Sequence, residues 1–174
     1  MSEGPRLETA RLVLRPLSDG DEEALFSQWN DHEVRRWLFD GEPVSREAVR
    51  AQIARSRTSF ARDGFGLFTL APRERPARLV GFAGLRRLGG EGEVELLYAL
   101  LPAEWGRGLA TEAAAAVLRV AFEQAGLAEV LAGADRENAA SFRVMARLGM
   151  TFARDVSIDG RPLRYYRIAR PEPT

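Results

Sequence analysis

The sequence predicts an α/β chain of the α+β kind, a central mixed sheet flanked by helices. Three observations predict it. The 174 residues are 45% hydrophobic and 29% charged, an ordinary make-up for one globular domain. Short apolar runs bounded by turn residues alternate with stretches whose apolar residues recur at helical spacing. Their order is a strand, helices, three strands, a helix, a strand, a helix and a hairpin, which implies a mixed sheet with helices on its faces.

Leu12–Leu17 begins as a short strand, and Pro16 sets its end at or near a sheet edge. Ser18-Asp19-Gly20-Asp21 supplies turn residues and a helix N-cap. Asp21–Asn30 reads as a helix with Ala24, Leu25 and Trp29 on one stripe, followed by a short helical stretch over His32–Leu38. Phe39–Pro43 is a loop, and Ser45 caps a further helix whose apolar positions Val49, Ile53 and Ala54 sit among many Arg, giving it a solvated outer face.

Gly66–Ala71 is a strand, residues 71–76 a loop, and Arg78–Leu88 a longer strand whose Gly81 and Gly84 point to close backbone contact or a bulge. Gly89-Gly90-Glu91-Gly92 is a turn. Val94–Leu100 is a mostly apolar strand, read as buried on both faces. A glycine-containing loop over 102–108 leads into a helix whose wide apolar stripe runs from Ala110 to Phe122, and Gly126 ends it. Glu129–Ala134 is a strand, and Ala139–Leu148 a helix stopped by Gly149. Thr151–Ile158 and Leu163–Ile168 are strands joined by Asp159-Gly160, a hairpin signal.

Composition narrows the chemistry. Twenty-five basic residues balance 25 acidic ones, which disfavours broad binding to nucleic acid or to an anionic membrane. No apolar run approaches a membrane span, and Met1–Pro5 lacks the layout of a signal peptide, so a cytoplasmic location is expected. There is no Cys, hence no disulfide, thiolate metal site or cysteine nucleophile. His32 is the only His and sits in a charged turn, so no metal site is expected. There is no Lys, which excludes a Schiff base and a P-loop lysine.

The informative stretch is Val94 to Ala113, where a strand runs through a glycine loop into the start of a helix. Such a helix end leaves backbone N–H groups unpaired and favours an anion. Gly106 and Gly108 remove Cβ atoms that block close approach, Ala110 is nearly as small, and Arg107 adds a charged donor. The unit suits a phosphate or pyrophosphate. It is neither a Walker loop nor a dinucleotide fingerprint, and a tight turn with glycines kept for packing is the alternative.

With Glu95, Tyr98, Pro102 and the run Trp105–Ala113, a second run Asn138–Met150, the opening Leu7–Pro16, and Trp29-Asn30-Asp31 with Val34, the chain resembles the GNAT superfamily of acyl-coenzyme A N-acyltransferases. More narrowly it resembles the Rim-type branch, which includes ribosomal-protein N-terminal alanine acetyltransferases. The resemblance covers about residues 7–168 of a single domain over 1–174. The family's pattern opens its glycine frame with Arg or Gln; Trp105 stands there in this chain, as is common in the Rim-type branch.

The resemblance implies acetyl transfer from acetyl-coenzyme A to an amine, either a peptide N-terminus or a small molecule, by direct attack in a ternary complex. A non-catalytic acyl-coenzyme A sensor is the competing reading. The backbone around Leu100 and Leu101 would pair with the pantetheine arm. Trp105, Gly106, Arg107, Gly108, Leu109, Ala110 and Thr111 would hold the pyrophosphate. Asn138 and Arg147 would also contact the coenzyme, Asn138 doubling as a helix N-cap.

Removing a proton from the amine needs a base. Glu95 is the first candidate, since a carboxylate on an apolar strand has a raised pKa; the alternative for it is an exposed carboxylate paired with Arg. Glu93 is the runner-up. Ser141 is the candidate acid for the departing thiolate, with Tyr98, Tyr165 and Tyr166 as other donors. Trp29, Trp37, Phe39 and Tyr98 would line the acceptor site. Dimers are common among such proteins, so a homodimer is allowed.

Overall fold

The computed structural model describes residues 4–90 and 92–173. Its strands are β1 (Leu7–Glu8), β2 (Leu12–Pro16), β3 (Leu67–Pro72), β4 (Gly81–Arg87), β5 (Val94–Leu100), β6 (Glu129–Asp135), β7 (Thr151–Ile158) and β8 (Arg161–Ala169). The helices are α1 (Glu22–Asn30), α2 (His32–Arg35), α3 (Arg46–Asp63), α4 (Leu109–Arg119) and α5 (Ala139–Arg147). The eight strands form one sheet in the order β1-β2-β3-β4-β5-β6-β8-β7. No described helix is long and apolar enough to cross a membrane.

Every neighbouring pair is antiparallel except β5 and β6. β5 pairs with β4 from Gly81↔Leu100 to Arg87↔Val94, and β6 pairs with β8 from Glu129↔Ala169 to Asp135↔Leu163. Between the two halves there is a single parallel pair, Glu95↔Leu131. Each central strand is thus anchored to its own half, and beyond that pair the halves part into a wedge.

Alternation along β5 sorts its side chains to two faces. Val94, Leu96 and Leu100 join the core under α4, with Ala113, Val117 and Met145. Leu97 and Ala99 point the other way, against Trp29, Val49, Ile53 and Phe82. The expectation of a strand buried on both faces is corrected here: Leu97, Tyr98 and Ala99 are half-buried, because β6 has already diverged.

Local sequence explains most element ends. Ser45 accepts the Ala48 N–H to start α3, and Gly64 ends it at φ 76°. The Asn138 side chain accepts the Ser141 N–H at 3.1 Å, the expected cap of α5. α4 widens into a π turn over Val120–Gln124 before Gly126. Asp159 and Gly160, at φ 50° and 78°, make the hairpin turn. A Cβ on Gly81 would meet the Ala99 carbonyl at 2.3 Å, and one on Gly84 the Gly66 carbonyl at 2.3 Å, so both glycines serve close backbone contact.

Several expectations are revised. β1 was not anticipated; it pairs with only Val13 and Leu14 of β2. Pro16 is therefore near the edge rather than at it. Its neighbour Leu17 donates to Leu67, so the N–H that proline lacks is one that β3 does not use, and β1 does not reach it. β4 starts at Gly81 rather than Arg78, because the Arg78 N–H turns back to Arg75. Helix α2 stops at Arg35, and Phe39–Gly41 forms a 3₁₀ turn within the expected loop. Of the 89–92 turn, Leu88–Gly90 is a 3₁₀ turn, and Glu91 lies outside the described residues.

Candidate active site

Two cavities open on opposite faces of the sheet at the wedge. The first, about 280 Å³, lies between β5, the 105–111 segment and α5. The second, about 320 Å³, is walled by Trp29 of α1, Gln52 of α3 and the Trp37–Asp40 segment. They share Trp37, Leu38, Leu97, Gly133 and Ala134 as walls, so they adjoin through the gap that β6 leaves beside β5.

The first cavity is bounded by Trp105, Gly106 and the start of α4 from Gly108 to Thr111. Gly106 and Gly108 adopt φ 74° and 76°, the left-handed region. A Cβ on Gly106 would meet nothing within 4 Å, and one on Gly108 only Arg11 at 3.6 Å. Backbone conformation, not packing, requires these glycines. No side chain caps α4, and the Glu112 N–H donates to the Gly108 carbonyl. The N–H groups of Leu109, Ala110 and Thr111 precede that bond and have no partner within the helix. The buried Thr111 hydroxyl has no hydrogen-bond partner, while Arg143 and Arg147 line the same cavity. Free amides, an orphaned hydroxyl and two guanidiniums fit a diphosphate.

Two expected contacts fall elsewhere. The Leu101 N–H donates to Val80 and its carbonyl accepts from Glu104, because Pro102 starts a 3₁₀ turn; Leu101 does not line the cavity. Arg107 also lies outside the lining. Its guanidinium donates to buried Glu104 at 2.5 Å, and its carbonyl accepts from Arg11 at 2.9 Å. Arg78 pairs with the same carboxylate at 2.8 Å, so Glu104 ties the loop to the body. Leu100 does line the cavity, and by alternation with Leu101 its N–H faces the wedge. Its carbonyl accepts the Trp105 indole at 2.8 Å.

Asn138, Arg147, Ser141 and Tyr98 meet on this face. The Ser141 and Tyr98 hydroxyls are 2.8 Å apart. Burial pushes the Tyr98 phenol up to about 12, so it remains protonated.

Glu95 lies on the other face, in the second cavity, only 4% exposed. Burial pushes its carboxyl above the usual range, against the pull of Arg86 at 3.0 Å and of the nearby Tyr165 phenol. Both sequence readings thus hold a part: the carboxylate is paired with Arg, but it is buried. Glu93 is exposed, held by Arg154 at 2.6 Å below the usual range, and lines neither cavity.

Trp29, Trp37 and Phe39 line the second cavity; Trp29 packs on Phe39 at 5.2 Å and on Phe82 at 5.5 Å. Tyr98 lines the first cavity rather than this one. His32 is exposed beside Glu33.

Sequence reasoning missed Arg86, Arg143, and the bridge of Arg161 to Asp135 and Asp40. Arg86 had a readable signal: the hairpin register places it opposite Glu95. The Arg161 bridge joins three segments remote in the chain and had none.

The profile of the acetyltransferase (GNAT) domain family matches residues 11–151. The chain is 30% identical over 148 residues to the uncharacterised N-acetyltransferase YoaA of Bacillus subtilis, covering 83% of this chain and 82% of that protein. A putative GNAT-family acetyltransferase from Bordetella pertussis superimposes with a TM-score of 0.78 at 27% identity, over 95% and 99% of the two chains. RimL, a ribosomal L7/L12 alpha-N-protein acetyltransferase solved with coenzyme A, reaches a TM-score of 0.78 over 95% and 98% of the chains; its 14% identity shows a shared fold alone.

Proposed function

The chain belongs to the acetyltransferase (GNAT) domain family, and we propose that it moves an acetyl group from acetyl-coenzyme A to a primary amine by direct attack in a ternary complex. The observation that carries this reading is the wedge: an uncapped helix start and a hydroxyl pair on one face, a buried carboxylate on the other, with a gap between them.

Acetyl-coenzyme A supplies the thioester. The amides of Leu109, Ala110 and Thr111, the Thr111 hydroxyl, Arg143 and Arg147 hold its diphosphate. The Leu100 N–H is placed to polarise the thioester carbonyl. Glu95 takes a proton from the attacking amine, directly or through water, and its raised carboxyl suits that task at neutral pH. The new bond is N–C and the broken bond is C–S. The Ser141 hydroxyl, oriented by Tyr98, hydrogen-bonds the departing thiolate and passes it a proton that solvent restores to Ser141, while Glu95 returns its proton to solvent, so the net change is one proton moved from the amine to the thiol.

The test is release of free coenzyme A thiol in the presence of a panel of amines. Amine-dependent release is the expected result. Tight binding of acetyl-coenzyme A with no release would replace this reading with that of an acyl-coenzyme A sensor.

A further inference from the structure

Resting on the acetyl-transfer reading above, we propose that the acceptor is a small monoamine with an apolar or aromatic body, carrying one ammonium group and no carboxylate.

The second cavity, about 320 Å³, is of small-ligand size. Its body is apolar: Trp29, Trp37, Phe39, Leu67, Phe82 and Leu97 form the wall next to the wedge. Phe39 is there by construction. It and Asp40 both hold left-handed backbone, at φ 52° and 58°, which sets the Phe39 ring on Trp29 and the Asp40 carboxylate on Arg161.

The charges lining this cavity are nearly all spent on one another. Arg86 pairs with Glu95 at 3.0 Å. Arg161 pairs with Asp135 at 2.5 Å and with Asp40. Three carboxylates against two guanidiniums leave one negative charge for an incoming group to meet. One ammonium matches it. A second cation finds every carboxylate engaged, and a substrate carboxylate finds both guanidiniums engaged within a net negative field. An apolar body displaces water from the aromatic wall and leaves the amine directed at the wedge and Glu95.

The experiment compares kcat/KM for thiol release with phenethylamine, spermidine, phenylalanine and a peptide beginning with Ser. Phenethylamine is expected to lead each of the others by at least tenfold; a lead for any of the other three overturns the inference. In Arg161→Gln the two Asp carboxylates are freed, and the spermidine-to-phenethylamine ratio is expected to rise at least tenfold. Asp40 lies on an exposed turn, so Asp40→Asn keeps the test open should Arg161→Gln not fold; there the ratio is expected to fall severalfold. A ratio unmoved in a folded variant overturns the charge account. Calorimetry with acetyl-coenzyme A separates the two levels: no coenzyme binding overturns the acetyl-transfer reading itself, whereas intact binding with a different amine preference overturns this inference alone.

Discussion

The two faces of the wedge are made of different materials. On the α4 face the site is mostly backbone: two glycines at positive φ, a helix start without a cap, and the outward N–H of β5. On the α1 face it is mostly side chains, an aromatic wall and three carboxylates facing two guanidiniums, drawn from five segments. A backbone site recognises a group common to every reaction of one donor. A side-chain site can be changed residue by residue. Under the proposed function, the coenzyme is read by backbone geometry and the acceptor by shape and charge.

Removing the proposed base strikes the side-chain face hardest. Glu95→Gln is expected to lower kcat about 10²–10⁴-fold while the calorimetric affinity for acetyl-coenzyme A stays unchanged. If both fell together, the two faces would not be separable. Gly108→Val strikes the backbone face. A β-branched residue at φ 76° costs about 1–2 kcal/mol and distorts the first amides of α4. Loss of acetyl-coenzyme A binding by roughly a hundredfold is expected, with only a modest drop in the thermal midpoint, since a Cβ there has room. Undiminished affinity would move the coenzyme away from this loop.

Ser141→Ala sharpens the boundary between the faces, because its hydroxyl lines the first cavity and the proposed mechanism gives it a part in the chemistry. A fall in kcat of about tenfold is expected, with no change in the acid limb of the pH profile. The smallest effect is a shift of that limb. Glu95 must be deprotonated to act, so kcat/KM is expected to rise with pH through a value above the ordinary carboxylate range. Arg86 favours the charged form, so Arg86→Met raises that carboxyl further and moves the limb to higher pH. A pH profile that keeps its place in Arg86→Met would assign the limb to another group.

Most of the fold was legible because its signals are local. Ser45, Asn138 and Gly64 mark helix ends, and Asp159-Gly160 marks the hairpin, each within a few residues. What escaped was long-range. β1 is two residues long and exists only by pairing with β2. The exposure of Leu97–Ala99 depends on where β6 leaves β5. The family resemblance implies that Leu101 and Arg107 contact the coenzyme. Their polar groups are spent on Val80 and Glu104, partners that nothing in the motif announces.

By itself the sequence determined the glycine bend that leads from β5 into α4. Glycine at 106 and 108 and a helix beginning at 109 are consequences of backbone preference, which acts over a few residues. Only the tertiary structure decided what faces it. The single pair between β5 and β6, the burial of Glu95 near Tyr165, and the Arg161 bridge each need segments far apart in the chain to arrive together. Contacts of that kind are set by how the whole sheet packs, and no short stretch of residues encodes them.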